Sequence, residues 1–177
     1  MFPQQNENFP REILTWDEID KLIDHLLPQF NREYDGLVMI TRGGLIPGGM
    51  LSEAMGIKNV HTATIRIEQS GYDNMPWPVF TQFPNDTLIA GKRLLVVNDI
   101  WAQGKNMIIV KSRLETSGAD VETAALHFRP RSNQYPDTGP DYYGAVTSNY
   151  LVYPWETPYS FPPGYMSPPS MKPPTLD

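Results

Sequence analysis

The chain has 177 residues, with 14 Lys and Arg against 20 Asp and Glu, a net charge of −6, and no Cys. That length suits one domain with a buried core; the acidic balance excludes a broad electrostatic attraction to nucleic acid or an anionic membrane, and the lack of Cys excludes disulfides, thiolate metal sites and a cysteine nucleophile. Residues 1–9 carry no apolar signal core, and no apolar run approaches the roughly 20 residues that span a bilayer, so the expectation is a cytoplasmic protein without a membrane segment.

Thr15-Trp16-Asp17-Glu18 has the spacing of a capping box, and Ile19, Leu22, Ile23, Leu26 and Leu27 then fall on one helical face. This predicts a helix from about Trp16 to Leu27, stopped by Pro28. Gly36 to Thr41 reads as a strand and Ile46 to Met55 as a helix, with Gly56 as its C-terminal cap. Val60 to Ile67 alternates and is rich in β-branched residues, the pattern of a second strand. Gln69 to Thr87 holds Gly, Asn, Asp, Pro76, Pro78 and Pro84 without periodicity and is expected to lack regular structure. A connection of that length is usually functional, and here it is expected to close over a ligand as a lid. Arg93 to Val97 is a continuous apolar run that predicts a central parallel strand buried on both faces. A helix from Asn106 to Thr116 follows, ended by Gly118, and Glu122 to Phe128 and Leu151 to Tyr153 supply further strands. The alternation predicts an α/β fold with a mostly parallel central sheet flanked by helices. From Pro154 onward recurrent proline forbids ordinary helix and favours an extended, polyproline-like path.

Two segments share one grammar of apolar strand, Gly-containing turn and helix. In the first, Gly36 to Thr41 runs into Arg42-Gly43-Gly44-Leu45-Ile46-Pro47-Gly48-Gly49; in the second, Leu94 to Val97 runs into Asn98-Asp99-Ile100-Trp101-Ala102-Gln103-Gly104-Lys105-Asn106. Open α/β sheets bind ligands beyond the carboxyl ends of their strands, where N–H groups of the next helix favour anions. Two such turns point to a ligand with two phosphate-bearing ends. Taken singly, each turn also has a purely structural reading: glycine supplies positive φ, and Asp99 caps the next helix. Gly104-Lys105 resembles the end of a nucleotide-binding P-loop, but Asp99 and Asn106 stand where that pattern needs Gly and Ser or Thr. His25, His61 and His127 lack ligand spacing and read as packed or surface residues, and Trp77 and Trp101 read as packing groups.

The order Leu14-Thr15-Trp16-Asp17, Thr41 to Gly48, Met55-Gly56-Ile57, Val96 to Asn106, Phe128-Arg129-Pro130 and Tyr150 to Glu156 resembles the type I phosphoribosyltransferases, closest to the xanthine-guanine (purine) enzymes. The resemblance covers roughly residues 13–157, leaving an N-terminal extension at 1–12 and a Pro-rich tail at 158–177. It implies transfer of ribose 5-phosphate from phosphoribosyl pyrophosphate to guanine, xanthine or hypoxanthine, with Mg2+ as cofactor and release of pyrophosphate. By position it implies Arg42, Gly43 and Gly44 at the pyrophosphate, with Arg42 and Asp99 as catalytic residues. Asn98 and Asp99 fall at the ribose hydroxyls, Asp99 also at the metal, and Ala102, Gln103, Gly104, Lys105 and Asn106 around the ribose phosphate. Arg129, Tyr150 and Leu151 fall at the base.

The second turn departs from the family pattern. Asn98 is an amide where a carboxylate is usual, Ala102 replaces the Asp that handles a proton on the purine, and Gln103 and Asn106 lack the usual hydroxyls. Loss of a general acid or base costs roughly 10²–10⁴-fold in rate. Two functions are therefore expected: a purine phosphoribosyltransferase, or a catalytically impaired nucleotide- or phosphoribosyl-binding regulatory protein of the same fold, since binding outlasts the loss of a proton-transfer group. The expected partners are a purine base or nucleotide and further copies of the chain in a homo-oligomer (dimer or tetramer), with no nucleic acid and no membrane. The tail reads as a packing arm that buries Tyr159, Phe161 and Tyr165 on a neighbouring subunit, or as a ligand for a domain that recognises polyproline structure.

Overall fold

The computed structural model describes residues 10–69 and 76–156. Strand β1 (Arg11–Ile13) leads into helix α1 (Trp16–Leu26), whose capping box is complete: Thr15 N–H donates to Glu18 Oε2 at 2.7 Å and Glu18 N–H to Thr15 Oγ1 at 3.4 Å. Ile19, Ile23 and Leu26 are buried, as the helical spacing requires, and a 3-10 turn (Leu27–Gln29) containing Pro28 ends the helix. Strand β2 (Gly36–Ile40) is buried throughout, and helix α2 (Leu45–Ala54) follows it, with Gly56 at a φ of 66° beyond its end.

The remaining elements are β3 (Val60–Gln69), β4 (Pro76–Gln82), α3 (Asp86–Ile89), β5 (Arg93–Trp101), α4 (Lys105–Thr116), β6 (Asp120–Phe128), β7 (Tyr142–Val146) and β8 (Tyr150–Val152). The six-stranded sheet has the order β4-β3-β2-β5-β6-β7, parallel at every pair except β3 and β4. Its two faces carry separate cores, because successive side chains along β5 alternate. Leu95 and Val97 join α1 residues in one cluster, while Leu94 and Val96 join Met107, Val110 and Leu114 of α4 in the other. Burial on both sides explains the continuous apolar run of β5.

Three sequence expectations are corrected. The segment from Gln69 to Thr87 is not without regular structure: β4 pairs antiparallel with β3, and Asn85 caps α3 by accepting from Thr87 N–H at 3.0 Å. Pro76 and Pro78 are accommodated because β4 is an edge strand, where a missing N–H breaks no second ladder. Phe80 and Phe83 stack edge-on at 4.8 Å and pack on the α4-side core. Residues 70–75 of the proposed lid lie outside the described residues.

Strand β5 continues past Val97 to Trp101, because Ile100 and Trp101 pair with His127 and Phe128 of β6 and Trp101 is buried. Asn98 and Asp99 are thus strand residues rather than turn residues. Finally, the strand at Leu151 belongs to a separate two-stranded sheet. There β8 pairs in parallel with β1, Glu12 opposite Leu151 and Ile13 opposite Val152, and β7 takes the place beside β6. The Pro-rich segment 158–177 lies outside the described residues.

Candidate functional site

From the central pair β2 and β5 the chain winds outward in opposite directions, through α2 to β3 and through α4 to β6. The turns after β2 and β5 therefore open side by side at the point where strand order reverses, the place where open α/β sheets form a ligand crevice.

The first turn is shaped by close approach. A Cβ added at Gly43 would lie 2.2 Å from Asp99 Oδ2, and one at Gly44 would lie 2.3 Å from Val97 O and 2.8 Å from Ile40 O. Neither glycine has positive φ; at Gly44 it is −74°. Glycine is required here for space and not for a left-handed conformation. The Gly44 N–H donates to Ile40 O at 2.8 Å, so of the two glycines Gly43 is the one whose N–H is left for a ligand. Arg42 is exposed beside it, and the Thr41–Arg42 peptide is cis.

Asp99 sits beneath this turn, 7% exposed. Its Oδ1 accepts from Ile100 N–H at 2.7 Å, and its carbonyl accepts from the Tyr153 hydroxyl at 3.0 Å. Tyr153 Oη also lies 2.9 Å from His127 Nδ1. Because the tyrosine proton is committed to Asp99 O, His127 must donate from Nδ1. Burial pushes the Asp99 carboxyl up to about 6, with Glu156 adding to the rise, and burial holds His127 down to about 4. At neutral pH the carboxylate is mostly ionised above a neutral imidazole. The neighbouring Asn98 fixes its amide by donating from Nδ2 to Ile100 O at 3.0 Å.

Beyond β5 lies a cavity of about 990 Å³. Its walls include Asn98, Ala102, Gln103, Gly104, Lys105, Asn106 and Arg129, so the structure gathers most of the predicted second-turn and base-side residues. Gly104 begins α4 at a φ of 82°, and a Cβ there would lie 2.7 Å from Trp101 Nε1. The turn is thus held against the indole, and the first residues of α4, whose N–H groups have no intrahelical acceptor, belong to the cavity wall. Lys105, Arg129 and Arg131 are the ionisable residues of the lining, and all are basic. In a chain of net charge −6, this concentrates positive potential where an anion would enter.

Arg42, Gly43, Gly44 and Asp99 adjoin this cavity through the turn contacts and are not part of its wall. Tyr150, at 54% exposed, and Leu151, buried in β8, also lie outside the wall. Arg129 reaches the residue just before their strand by donating from Nη1 to Asn149 O at 3.1 Å. Sequence reasoning missed Arg131, Ser132 and Gln134, which line the cavity from the segment after β6. The Phe128-Arg129-Pro130 signal stopped one residue short of them. Among the described residues no group of three His, Cys, Asp or Glu side chains is placed to hold a metal, and no helix is long and apolar enough to cross a membrane.

The family model described as phosphoribosyl transferase domain matches residues 11–153. The xanthine-guanine phosphoribosyltransferase of Gluconobacter oxydans is 27% identical over 154 residues, covering 85% of this chain and 87% of that protein. The crystal structure of a purine phosphoribosyltransferase from Pyrococcus horikoshii superposes with a TM-score of 0.70 at 27% identity, covering 82% of this chain and 93% of the other. The Helicobacter pylori xanthine-guanine-hypoxanthine phosphoribosyltransferase shares the fold, with a TM-score of 0.68 at 16% identity over 83% of this chain and 94% of the other.

Proposed function

The chain belongs to the phosphoribosyl transferase family, and on that premise we propose that it transfers ribose 5-phosphate from phosphoribosyl pyrophosphate to a purine base (guanine, xanthine or hypoxanthine) with release of pyrophosphate. The observation that carries this reading is the pair of anion-directed turns at the adjacent ends of β2 and β5, beside a cavity whose ionisable lining is wholly basic.

Arg42 and the Gly43 N–H bind the pyrophosphate as negative charge grows on it, with the Gly44 backbone packed beneath them. The Asp99 carboxylate and the amide oxygen of Asn98, left available by the Nδ2 bond to Ile100, accept from the ribose hydroxyls. The turn from Ala102 and Gln103 through Gly104, with Lys105 and Asn106 at the start of α4, holds the ribose phosphate. Arg129 donates to the 6-oxo group of the base, with Tyr150 and Leu151 directly after the residue it is bonded to.

Mg2+ commonly takes one or two carboxylates and completes its coordination with substrate phosphates and water. Asp99, buried and mostly ionised against the pyrophosphate turn, fits an ion held largely by phosphates. Bound there, the ion would neutralise charge on the leaving group. At Ala102 no side chain accepts a proton from the base, so catalysis rests on positioning and electrostatics. Exposed Ile13, at 65%, and Trp16, at 51%, support assembly of copies into a homo-oligomer.

The test supplies phosphoribosyl pyrophosphate and Mg2+ with guanine, xanthine, hypoxanthine, adenine, uracil and orotate in turn, following pyrophosphate release beside an Ala102→Asp variant. Release dependent on one of the oxopurines is expected, and the variant should be faster, by up to roughly 10²–10⁴-fold. Silence from the natural protein with every base, while the variant turns over, would return the chain to a binding role.

A further inference from the structure

One wall of the cavity comes from a segment to which no role has been attached: the 3-10 turn Pro130–Ser132 and the residues just after it. This wall is braced. Gln134 N–H donates to Gln103 O at 3.2 Å, and Trp101 Nε1 donates to Asn133 Oδ1 at 3.2 Å. Asn133 in turn donates from Nδ2 to the carbonyls of Tyr135 at 2.8 Å and Thr138 at 2.6 Å. The segment is thereby held against the turn that opens α4.

Two residues of the cavity lining on it have polar side-chain groups without a partner among the described residues. Ser132 Oγ is buried and has no hydrogen-bond partner among the described residues. A buried hydroxyl without a partner is destabilising, and such groups persist where a ligand completes them. Arg131 lines the same cavity, and no ion pair or hydrogen bond engages its guanidinium among the described residues. Across the cavity lining, Gln103 and Asn106 stand where hydroxyl donors would be expected around a phosphate, and Lys105 supplies a single cation.

We propose that Arg131 and Ser132 complete the subsite for the ribose 5-phosphate group, supplying from the loop after β6 the donors that the turn after β5 lacks; this rests on the phosphoribosyl reading above. A phosphate monoester presents three acceptor oxygens and close to two negative charges. The planar guanidinium of Arg131 engages two oxygens side by side, the Ser132 hydroxyl a third, and the first N–H groups of α4 the remaining lone pairs.

Calorimetric titration with two probes tests this, each in the presence of Mg2+: phosphoribosyl pyrophosphate, which carries the 5-phosphate, and inorganic pyrophosphate, which does not. Arg131→Gln and Ser132→Ala are each expected to weaken phosphoribosyl pyrophosphate roughly 10- to 100-fold, the range for a hydrogen bond to a charged group, and to change pyrophosphate by less than about twofold. Ser132→Thr, which keeps a hydroxyl, should restore most of the affinity. The ligand-free Ser132→Ala protein should melt no lower than the natural one, since the hydroxyl it loses has no partner. Arg131→Gln alters an exposed residue and keeps the test open should the Ser132 variants fail to fold. If the natural protein binds phosphoribosyl pyrophosphate and both variants bind it equally well, this inference is overturned and the transferase reading stands. Equal losses on both probes would also overturn it, because the residues would then act on pyrophosphate or through the general field. If the natural protein binds neither probe, the functional reading falls first.

Discussion

The Asp99 carboxylate and the Gly43 backbone occupy contiguous space: a Cβ at Gly43 would lie 2.2 Å from Asp99 Oδ2 and 2.4 Å from its Cγ. The turn after β2 and the end of β5 are thereby interlocked, so the group proposed for the ribose and the turn proposed for the pyrophosphate share one wall.

Gly43→Ala tests the interlock. Asp99 is buried and held by Ile100 N–H, so it yields only by breaking a hydrogen bond or shifting β5. Overpacking of this kind costs about 1–3 kcal/mol. The urea midpoint should drop accordingly, and affinity for phosphoribosyl pyrophosphate should fall at least about tenfold, the equivalent of ~1.4 kcal/mol. A variant that denatures and binds like the natural protein would show that the turn opens freely.

Asp99 makes the ligand-free protein less stable at neutral pH than it would be with a neutral residue there. Its carboxyl is pushed from 3.8 in the unfolded chain up to about 6 by burial. Between those values the folded state holds the extra proton, so the stability this group contributes is complete below about pH 4 and is lost as pH rises through 6. The gap corresponds to ~3 kcal/mol. Asp99→Asn is expected to raise ligand-free stability at pH 7 by about 1–3 kcal/mol while abolishing most turnover, measured by urea denaturation beside pyrophosphate release. An Asn variant less stable at pH 7 would contradict the raised pKa.

His127 acts in the opposite sense. Burial holds it down to about 4 from 6.5, so as pH falls through that window the unfolded chain takes up the proton first and stability declines. In the natural protein the two groups offset one another between about pH 4 and 6. Relative to it, Asp99→Asn should lose a further ~3 kcal/mol on acidification from pH 6.5 to 4, and His127→Phe should lose correspondingly less. Carboxylates elsewhere are common to all three proteins, so the differences between their pH curves isolate this pair; parallel curves would remove the account.

Tyr153→Phe deletes the hydroxyl that joins them. The variant leaves the His127 Nδ1–H without its acceptor and Asp99 O without this donor, at a cost of about 1–3 kcal/mol. Nitrogen-15 NMR of the natural protein should find His127 as the neutral Nδ1–H tautomer. Finding the Nε2–H form would reverse the direction of the Tyr153 bond and with it this prediction.

Much of the scaffold was legible because its signals are local. The Thr15 capping box, the spacing of Ile19, Ile23 and Leu26, and the apolar run of β5 each act within about a dozen residues and appear in the structure as read. The two strand, turn and helix units were legible for the same reason. The local reading of their glycines, positive φ, holds at Gly104 and fails in the first turn. At Gly43 and Gly44 the requirement is set by Asp99 and Val97 on another strand, and no pattern around residue 43 announces it.

By itself, then, the sequence determined the alternation of strands and helices and the family pattern across the two turns. Only the tertiary structure decided that β4 is an edge strand despite its prolines, that β1 closes on β8, that β5 runs on through Asp99 to Trp101, and that Arg131 and Ser132 wall the cavity. The division has a physical origin. A helix satisfies its backbone hydrogen bonds within its own few turns and so writes its signature locally, whereas a strand end, an edge or a cavity wall exists only through the distant segment that pairs with it or packs against it.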